Sequence, residues 1–173
     1  MERRVSSKRI YDGHIVNLRV DEVKLDNGKI ANREIVEHRG ATAIVPALED
    51  GRVVLIRQYR YAASTELLEI PAGTLEPNEA PEICARRELE EETGYKCQEM
   101  KKILEIFLAP GYSTEKIHIY LARGLSETKT RLEEDEQINV EKIPFSTALE
   151  MVKLGKIQDA KTISGLCVAS QFL

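Results

Sequence analysis

The chain of 173 residues contains no tryptophan, only three cysteines and three histidines, and few aromatic residues of any kind. No apolar run approaches the ~20 residues that a membrane-spanning helix needs, so we expect no membrane partner. Residues 1–13 carry charge but no following apolar stretch, which is not the pattern of a signal peptide. The three unpatterned cysteines are then typical of reduced thiols, and the sequence predicts a cytoplasmic protein.

Other absences exclude further classes of protein. A net charge of −4 and a pI near 5.6 argue against bulk binding of nucleic acid. No glycine-rich phosphate-binding loop of the P-loop type is present, so the chain is not a P-loop NTPase. His14, His38 and His118 are far apart in the sequence, and they do not form a metal-binding set. With 42% hydrophobic and 31% charged residues, the chain can bury the core of one domain with a small appendage.

Strand patterns dominate what is present. Residues 20–26 and 30–37 flank Asp26-Asn27-Gly28, a strong hairpin signal, and residues 8–20 alternate weakly around a turn. The first 38 residues are therefore predicted to form a small antiparallel sheet, which is too thin to bury a core alone. We expect it to pack on the rest of the chain or on a second subunit.

The remainder of the chain predicts an α+β domain over residues 39–173. A helix starting at Thr147 and ending at Gly155, and a last helix from about residue 158 to the end, follow from apolar spacing and the glycine stop. Residues 125–137 are acidic and polar and predict a loop. The predicted strands are 41–48, 52–58, 66–70, 99–107, 116–122 and 138–143.

Residues 73–95 concentrate negative charge on one predicted helix. They read GTLEPNEAPEICARRELEEETGY, with Glu88, Glu90, Glu91 and Glu92 within five positions. Like charges three and four residues apart on a helix repel each other, so a positive partner is needed. A divalent cation is one such partner and indicates chemistry on phosphates. The alternative is a solvated acidic helix whose ion-pair partners are local arginines.

The helical wheel separates these glutamates into two groups. Glu88, Glu91 and Glu92 fall within roughly 100° of one another, and small residues such as Cys84 that could rest on a sheet share this face. Glu90 is expected to point to solvent, together with Glu82 and Arg86. Before the helix, residues 71–73 are expected to lack regular structure and to bring bare backbone close. Gly94 is placed to end the helix.

The same segment fits the pattern G-x5-E-x7-R-E-U-x-E-E-x-G-U, where U is bulky and apolar or aromatic, and thereby resembles the box of the Nudix hydrolases. The resemblance implies the Nudix fold, a mixed sheet sandwiched between helices. It also implies a Mg²⁺ ion, or alternatively Mn²⁺, bound by Glu88, Glu91, Glu92 and the backbone carbonyl of Ala72. The implied activity is cleavage of a nucleoside diphosphate linked to another group. The matched positions are Gly73, Glu79, Arg87, Glu88, Leu89, Glu91, Glu92, Gly94 and Tyr95.

Further segments resemble the ADP-ribose pyrophosphatase branch of this family. They are residues 58–60 (QYR), 69–73 (EIPAG), 107–115 (FLAPGYSTE), 134–138 (EDEQI) and 155–162 (GKIQDAKT). The branch implies hydrolysis of ADP-ribose to AMP and ribose 5-phosphate. Another nucleotide sugar, a dinucleotide or an oxidised nucleotide remains an alternative substrate, and a non-catalytic sensing module is an alternative class. A sensor would be free to lose the box glutamates, and all are present.

The resemblance also implies that a glutamate of the acidic loop serves as the general base or as a further metal ligand. Glu134 and Glu136 share these two roles without an order between them, and Glu91 assists the catalytic set. Pro110, in a Pro-Gly segment that a plain turn explains equally well, is a candidate substrate-binding residue.

Three further residues are candidates for substrate binding. Arg39 and Arg60 are candidate phosphate clamps, because a guanidinium binds phosphate oxygens bidentately; a surface ion pair is the alternative for each. Glu69 reaches a substrate ribose or a metal, or is a structural partner. With no tryptophan, any stacking on the base falls to tyrosine or phenylalanine.

Assembly is the last expectation. The resembled branch forms dimers by exchanging a segment such as residues 1–38, so we predict a homodimer in which these residues contact the partner.

Overall fold

The computed structural model describes residues 1–130 and 137–173. By internal contacts the chain divides into two compact units, Met1–Gly40 with Phe107–Lys116 and Ala41–Ile106 with Ile117–Leu173. The elements are β1 (Arg3–Asp12), β2 (Asn17–Lys24), β3 (Ile30–Glu37), β4 (Ala41–Pro46), β5 (Arg52–Arg60), a 3-10 turn (Tyr61–Ala63), β6 (Thr65–Glu69), β7 (Ala72–Thr74), α1 (Pro81–Thr93), β8 (Tyr95–Phe107), β9 (Lys116–Glu127), β10 (Ile138–Pro144), α2 (Phe145–Lys153) and α3 (Ala160–Ala169). The predicted α+β class is confirmed.

The first unit contains an antiparallel sheet in the order β1-β2-β3. The predicted hairpin turn is present: Gly28 adopts φ 80°, which only glycine accepts without strain, and its N–H donates to the Leu25 carbonyl at 2.9 Å. Within the same unit, the Val36 N–H donates to the Tyr112 carbonyl at 2.8 Å. Every residue of β1 is exposed.

The second unit is built on two sheets. One has the order β7-β4-β9-β8, and β4 runs parallel to β9 and antiparallel to β7. The other has the order β10-β5-β6, with antiparallel pairing throughout. Parallel pairing of β4 with β9 requires a long connection, and the intervening chain supplies it with α1 and β8.

Alternating side chains of β4 place helices on both faces of the larger sheet. Val45 belongs to a core that includes Ala148 of α2 and Leu166 of α3, whereas its neighbour Ile44 belongs to a second core with Leu89 of α1. Successive residues of a strand point to opposite faces, so the two cores lie on opposite sides of β4. Leu89 is completely buried, which is worth about 2 kcal/mol for such a side chain. The predicted arrangement of a mixed sheet between helices is confirmed.

Several predicted boundaries differ from the structure. Residues 72–74, in the stretch expected to be irregular, form the short strand β7, because Pro71 blocks pairing only through its missing N–H while its carbonyl accepts from Ile44 at 2.9 Å. Strand β9 continues to Glu127, although a loop was predicted to start at residue 125. The Tyr95 hydroxyl donates to Glu127 at 2.9 Å. Helix α2 starts at Phe145, two residues before the predicted start, and α3 ends at Ala169.

Candidate active site

Helix α1 is held against the larger sheet by its small and apolar face. Pro81 is its first residue, a position where the missing N–H costs nothing. Gly94 ends it in the left-handed conformation, φ 71°, and its N–H donates to the Glu90 carbonyl at 2.9 Å. Cys84 and Leu89 are fully buried. The helix and its C-terminal glycine therefore follow the sequence prediction.

Cys84 is a core residue beside the glycine turn. Its sulfur accepts from the Thr42 hydroxyl at 3.4 Å and lies 3.8 Å from the carbonyl oxygen of Gly73. Burial raises the pKa of the Cys84 thiol to about 12, so it stays neutral at physiological pH. Its small, uncharged side chain lets α1 approach β7 closely.

Glu92 links α1 to the strand before it. Its side chain is only 4% exposed, and Oε2 accepts the backbone N–H of Ala72 at 2.8 Å. The predicted metal ligands Glu92 and Ala72 are thus direct neighbours, joined through the Ala72 N–H. A buried carboxylate is costly unless it is bonded, so this contact also fixes where the Glu92 side chain points.

Gly73 provides room for the Glu88 carboxylate. A methyl group built on Gly73 would come within 1.9 Å of Glu88 Oε1 and 2.0 Å of its Cδ. No alanine could therefore occupy position 73 without displacing that carboxylate. The glycine is required here by close approach between backbone and side chain, as the sequence predicted, and not by its own backbone angles.

Arg87 carries the positive charge that balances this helix face. Its Nη1 donates to Glu88 Oε1 at 2.7 Å and to Glu91 Oε2 at 3.0 Å. On its other side, Nε and Nη2 donate to the two oxygens of Glu79 at 3.0 and 3.1 Å. The Glu79 hydrogen bonds, despite partial burial of the guanidinium, raise the pKa of Arg87 above its usual value. A single nitrogen therefore bridges two of the predicted metal-binding carboxylates.

The donors of this site suit a divalent cation. Carboxylate oxygens are the ligands that hard cations such as Mg²⁺ prefer, and the space over Gly73 keeps the Glu88 carboxylate against the backbone. Within residues 1–130 and 137–173, no three acidic, histidine or cysteine side chains converge closely enough to bind a metal as they stand. The assignment of Glu88, Glu91 and Glu92 as its ligands stays a prediction.

Glu90 is not the solvent-facing residue that the wheel predicted. Its side chain is 18% exposed, less than the 35% of Glu91, and Oε1 lies 3.3 Å from the Lys96 ammonium. The reason is tertiary: β8 begins directly after Gly94 and places Lys96 next to the last turn of α1. Glu82, by contrast, is exposed and pairs with Arg86 one turn along the helix, as expected.

Arg60, which is half-buried, and the buried Glu69 form an ion pair at the ends of β5 and β6. The Arg60 Nε and Nη2 donate to the two Glu69 oxygens at 2.8 and 2.6 Å. Lys161 of α3 donates to Glu69 Oε2 at 2.6 Å. Burial opposes ionisation of Glu69, but the Arg60 hydrogen bonds and the Lys161 charge outweigh it, so the pKa of Glu69 lies below its usual value. Two of the four predicted substrate-binding residues are therefore in one network.

The other predicted site residues belong elsewhere in the chain. Arg39 and Pro110 lie in the first unit, where both are exposed. Among the described residues, the Arg39 guanidinium makes no ion pair with an acidic side chain, so the surface ion pair considered as its alternative role is not formed there. Glu134 and Glu136 lie outside the described residues. The roles assigned to these four residues stay predictions.

Sequence reasoning missed two groups of residues that shape the site. Arg87 was considered only as a local ion-pair partner in the alternative of a solvated helix, and Glu79 was matched to the box without a role. Their spacing of eight residues, with a turn between them, suits a pair across the start of a helix. Lys161 and Asp159 lay in a segment that was noted only for its resemblance. No local pattern connects either one to Glu69, which is 92 positions before Lys161.

No helix among the described residues is both long and apolar enough to cross a membrane. The Nudix domain family matches residues 37–165, and the family described as the nucleoside diphosphate sugar hydrolase N-terminal domain matches residues 2–36. A solved structure described as an ADP compounds hydrolase superposes with a TM-score of 0.87 over 99% of this chain and 94% of its own, at 20% identity. That likeness supports the fold.

Curated relatives are more similar in sequence. The ADP-ribose pyrophosphatase of Bacillus subtilis (strain 168) is 40% identical over 163 residues, 93% of this chain and 88% of the relative. The methanol dehydrogenase activator of Bacillus methanolicus is 40% identical over 174 residues, 99% of this chain and 92% of the relative. A GDP-mannose pyrophosphatase of Escherichia coli O1:K1 / APEC is 38% identical over 172 residues, 92% of this chain and 90% of the relative.

An α+β sandwich with an acidic helix packed on a glycine turn defines a class of phosphate-bond hydrolases that use a divalent metal ion. The chain belongs to the Nudix family, within its ADP-ribose pyrophosphatase-like branch. It is accordingly a pyrophosphohydrolase of small nucleoside diphosphate derivatives.

Proposed function

We propose that the enzyme hydrolyses the pyrophosphate bond of ADP-ribose to AMP and ribose 5-phosphate with Mg²⁺, or alternatively Mn²⁺, as the metal. The observation that carries this proposal is the intact carboxylate face of α1, with Glu92 on the Ala72 backbone and Glu88 over Gly73. The 40% identity to an ADP-ribose pyrophosphatase supports the choice of substrate. We also place the enzyme in the cytoplasm, consistent with free thiols at all three cysteines.

In this proposal, some residues bind the metal ion and others bind the phosphates of the substrate. A bound Mg²⁺ ion supplies neutralisation of the phosphate charge and a more acidic water. Glu88, Glu91 and Glu92 hold that ion, with the Ala72 carbonyl as the fourth protein donor. Arg60 uses two of its five N–H groups on Glu69, and the others remain for phosphate oxygens. Its side chain is 41% exposed, which leaves it accessible.

The remaining roles complete the proposal. Glu134 or Glu136 acts as the general base, because the box carboxylates are committed to the metal. Arg39 and Pro110 keep their predicted roles in substrate binding. Glu69 fixes Arg60 in place. The non-catalytic sensor is the weaker reading, because a sensor has no need of the complete carboxylate set.

GDP-mannose is the second candidate substrate, and the 38% identity to GDP-mannose pyrophosphatases favours it specifically. The two substrates share the pyrophosphate and differ in base and sugar, so the site on α1 does not discriminate between them. The relative named for activating a methanol dehydrogenase adds a further question, namely whether a dehydrogenase responds to this enzyme.

The deciding experiment is a substrate panel. Purified enzyme is incubated with ADP-ribose, GDP-mannose, other nucleotide sugars, a dinucleotide and an oxidised nucleotide, each with Mg²⁺ and with EDTA, and products are separated by chromatography. We expect AMP and ribose 5-phosphate from ADP-ribose with Mg²⁺ and no product with EDTA. Faster turnover of GDP-mannose would transfer the proposal to that substrate, and binding without turnover of any compound would favour the sensor.

A further inference from the structure

Lys161 connects the last helix to the predicted phosphate clamp. Its ammonium donates to Glu69 Oε2 at 2.6 Å and lies 3.0 Å from Asp159 Oδ1. The same Glu69 oxygen also accepts from Arg60 Nη2 at 2.6 Å. Glu69 is 1% exposed and Lys161 only 9% exposed, so water screens these charges little. Two carboxylates and two cations thus form one electrically balanced, mostly buried row.

The far end of this row is rigidly attached to the backbone. Asp159 is the N-cap of α3, and its Oδ2 accepts from the Thr162 N–H at 2.9 Å and the Thr162 hydroxyl at 2.5 Å. The Thr162 Oγ1 in turn accepts the backbone N–H of Ile70 at 2.9 Å. The first turn of α3 is therefore bonded to the two residues that precede Pro71 and the glycine turn, once by Lys161 and once by Thr162.

The near end of the row is Arg60, the predicted phosphate clamp. Arg60 is 41% exposed, and its orientation is set by the bidentate contact with Glu69. A carboxylate bonded from one side only can rotate with its arginine, because the pair then has no second fixed point. Lys161 supplies that second point: it donates to the Glu69 oxygen that also accepts from Arg60 Nη2, and it is itself paired with Asp159.

We propose that Lys161 is a positioning residue that fixes Glu69 and thereby aims the remaining N–H groups of Arg60 at a phosphate of the nucleoside diphosphate substrate. The inference rests on the proposed function, since it deepens the role of Arg60 in that site. Glu69 then acts on the substrate through Arg60 and not by contact with a ribose or a metal. A purely structural Lys161 would anchor α3 without affecting substrate binding.

The first test compares Lys161→Met with Lys161→Arg, which keeps the charge, and with Lys153→Met as a control for loss of an exposed lysine. Steady-state kinetics and melting temperatures are measured on all of them. We expect Lys161→Met to raise KM about tenfold with kcat changed less than about threefold, because the clamp binds ground state and transition state alike. Lys161→Arg should recover most of the loss, and Lys153→Met should match wild type.

The second test asks whether Lys161 acts through Glu69. In a double-mutant cycle, Lys161→Met should change KM by less than about twofold when Glu69→Gln is already present, because the route to Arg60 is then cut. The double variant also removes both buried charges together, which protects folding better than either single change. Independent, multiplying effects would mean that Lys161 contacts substrate itself and would overturn the inference.

The two proposals fail in different ways. Absence of turnover by wild-type enzyme on the whole substrate panel overturns the proposed function. Normal turnover by wild type, together with a wild-type KM and a lowered melting temperature in Lys161→Met, overturns only the inference and leaves Lys161 as a structural anchor.

Discussion

Arg87 shows how the chain tolerates so many carboxylates on one helix. Isolated surface ion pairs contribute little, about 0–1 kcal/mol, but Arg87 is held bidentately by Glu79 while it serves Glu88 and Glu91. The repulsion between neighbouring glutamates is thus relieved by a residue of the same helix. A metal ion would add to this balance, because three carboxylates on the face outnumber the one guanidinium.

Glu92→Gln should remove most turnover while the fold survives. The amide keeps an oxygen for the Ala72 N–H at nearly constant shape but lacks the charge of a metal ligand. We expect kcat to fall about a hundredfold or more, with a melting temperature close to wild type. Kinetics at saturating Mg²⁺ and thermal unfolding check this.

Glu82→Gln is the matched control, because Glu82 lies on the same helix, is exposed and pairs only with Arg86 among the contacts that the structure describes. It should be nearly silent. Glu92→Gln activity within about threefold of wild type would remove Glu92 from the metal site.

Gly73→Ala should separate activity from stability. The new methyl group would collide with the Glu88 carboxylate at 1.9 Å, and the end of a flexible side chain can move away. We expect kcat to fall about tenfold or more through displacement of Glu88, as for other changes that misplace a ligand, with little loss of melting temperature. Equal losses of both, or unchanged kinetics, would show that the close approach is not catalytically important.

At the scale of elements, the junction of β6 with α3 depends on ionised Glu69. The folded-state pKa of Glu69 is below its ordinary value of 4.5, so its contribution to stability is fully present above that value and is lost as pH falls through the lowered pKa. We expect the stability difference between wild type and Glu69→Gln to be constant near neutral pH and to shrink below about pH 4.5. Urea unfolding across pH measures it, and a pH-independent difference would contradict the assignment.

The acidic segment between β9 and β10 is the element predicted to supply the base. If Glu134 or Glu136 accepts the proton, its replacement by glutamine should lower kcat far more than it weakens substrate binding, because proton abstraction matters in the transition state. Steady-state kinetics, with binding measured separately on the inactive variants, distinguishes the two effects. Near-parental kcat in both variants would contradict this role and make Glu115, in the Pro-Gly segment that contains Pro110, the next candidate for the base.

At the scale of the whole molecule, the N-terminal sheet indicates a partner. Strand β1 is exposed along its entire length, and Val5, Ile10 and Tyr11 are between 50% and 59% exposed. Exposed apolar side chains of this kind on one strand are typical of a surface that contacts another protein. We predict a homodimer in which residues 1–38 contact the partner, measured by light scattering at micromolar concentration.

Deletion of residues 1–38 provides the complementary measurement. The truncated chain should be monomeric, because the surface that we assign to the interface is then missing. A stable monomer of the full chain, or a dimer that persists after the deletion, would contradict this assembly.

The sequence by itself determined the elements and the carboxylate face. The period of the apolar residues, the glycine turns and the box spacing predicted most strands, helix α1 with its Gly94 end, and Glu88, Glu91 and Glu92 on one side. These features are local: each depends on residues within one or two turns of helix or one hairpin, where backbone geometry fixes which side chains share a face.

Tertiary structure decided what no local pattern contains. Lys96 covers Glu90, pairing with β4 makes residues 72–74 a strand, and α3 brings Lys161 to Glu69. In each of these contacts, the two residues become neighbours only through the order of the strands and the sheet faces on which the helices pack. Ion pairs and backbone pairing act over a few ångströms, so their partners are set by the folded arrangement of distant segments and not by spacing along the chain.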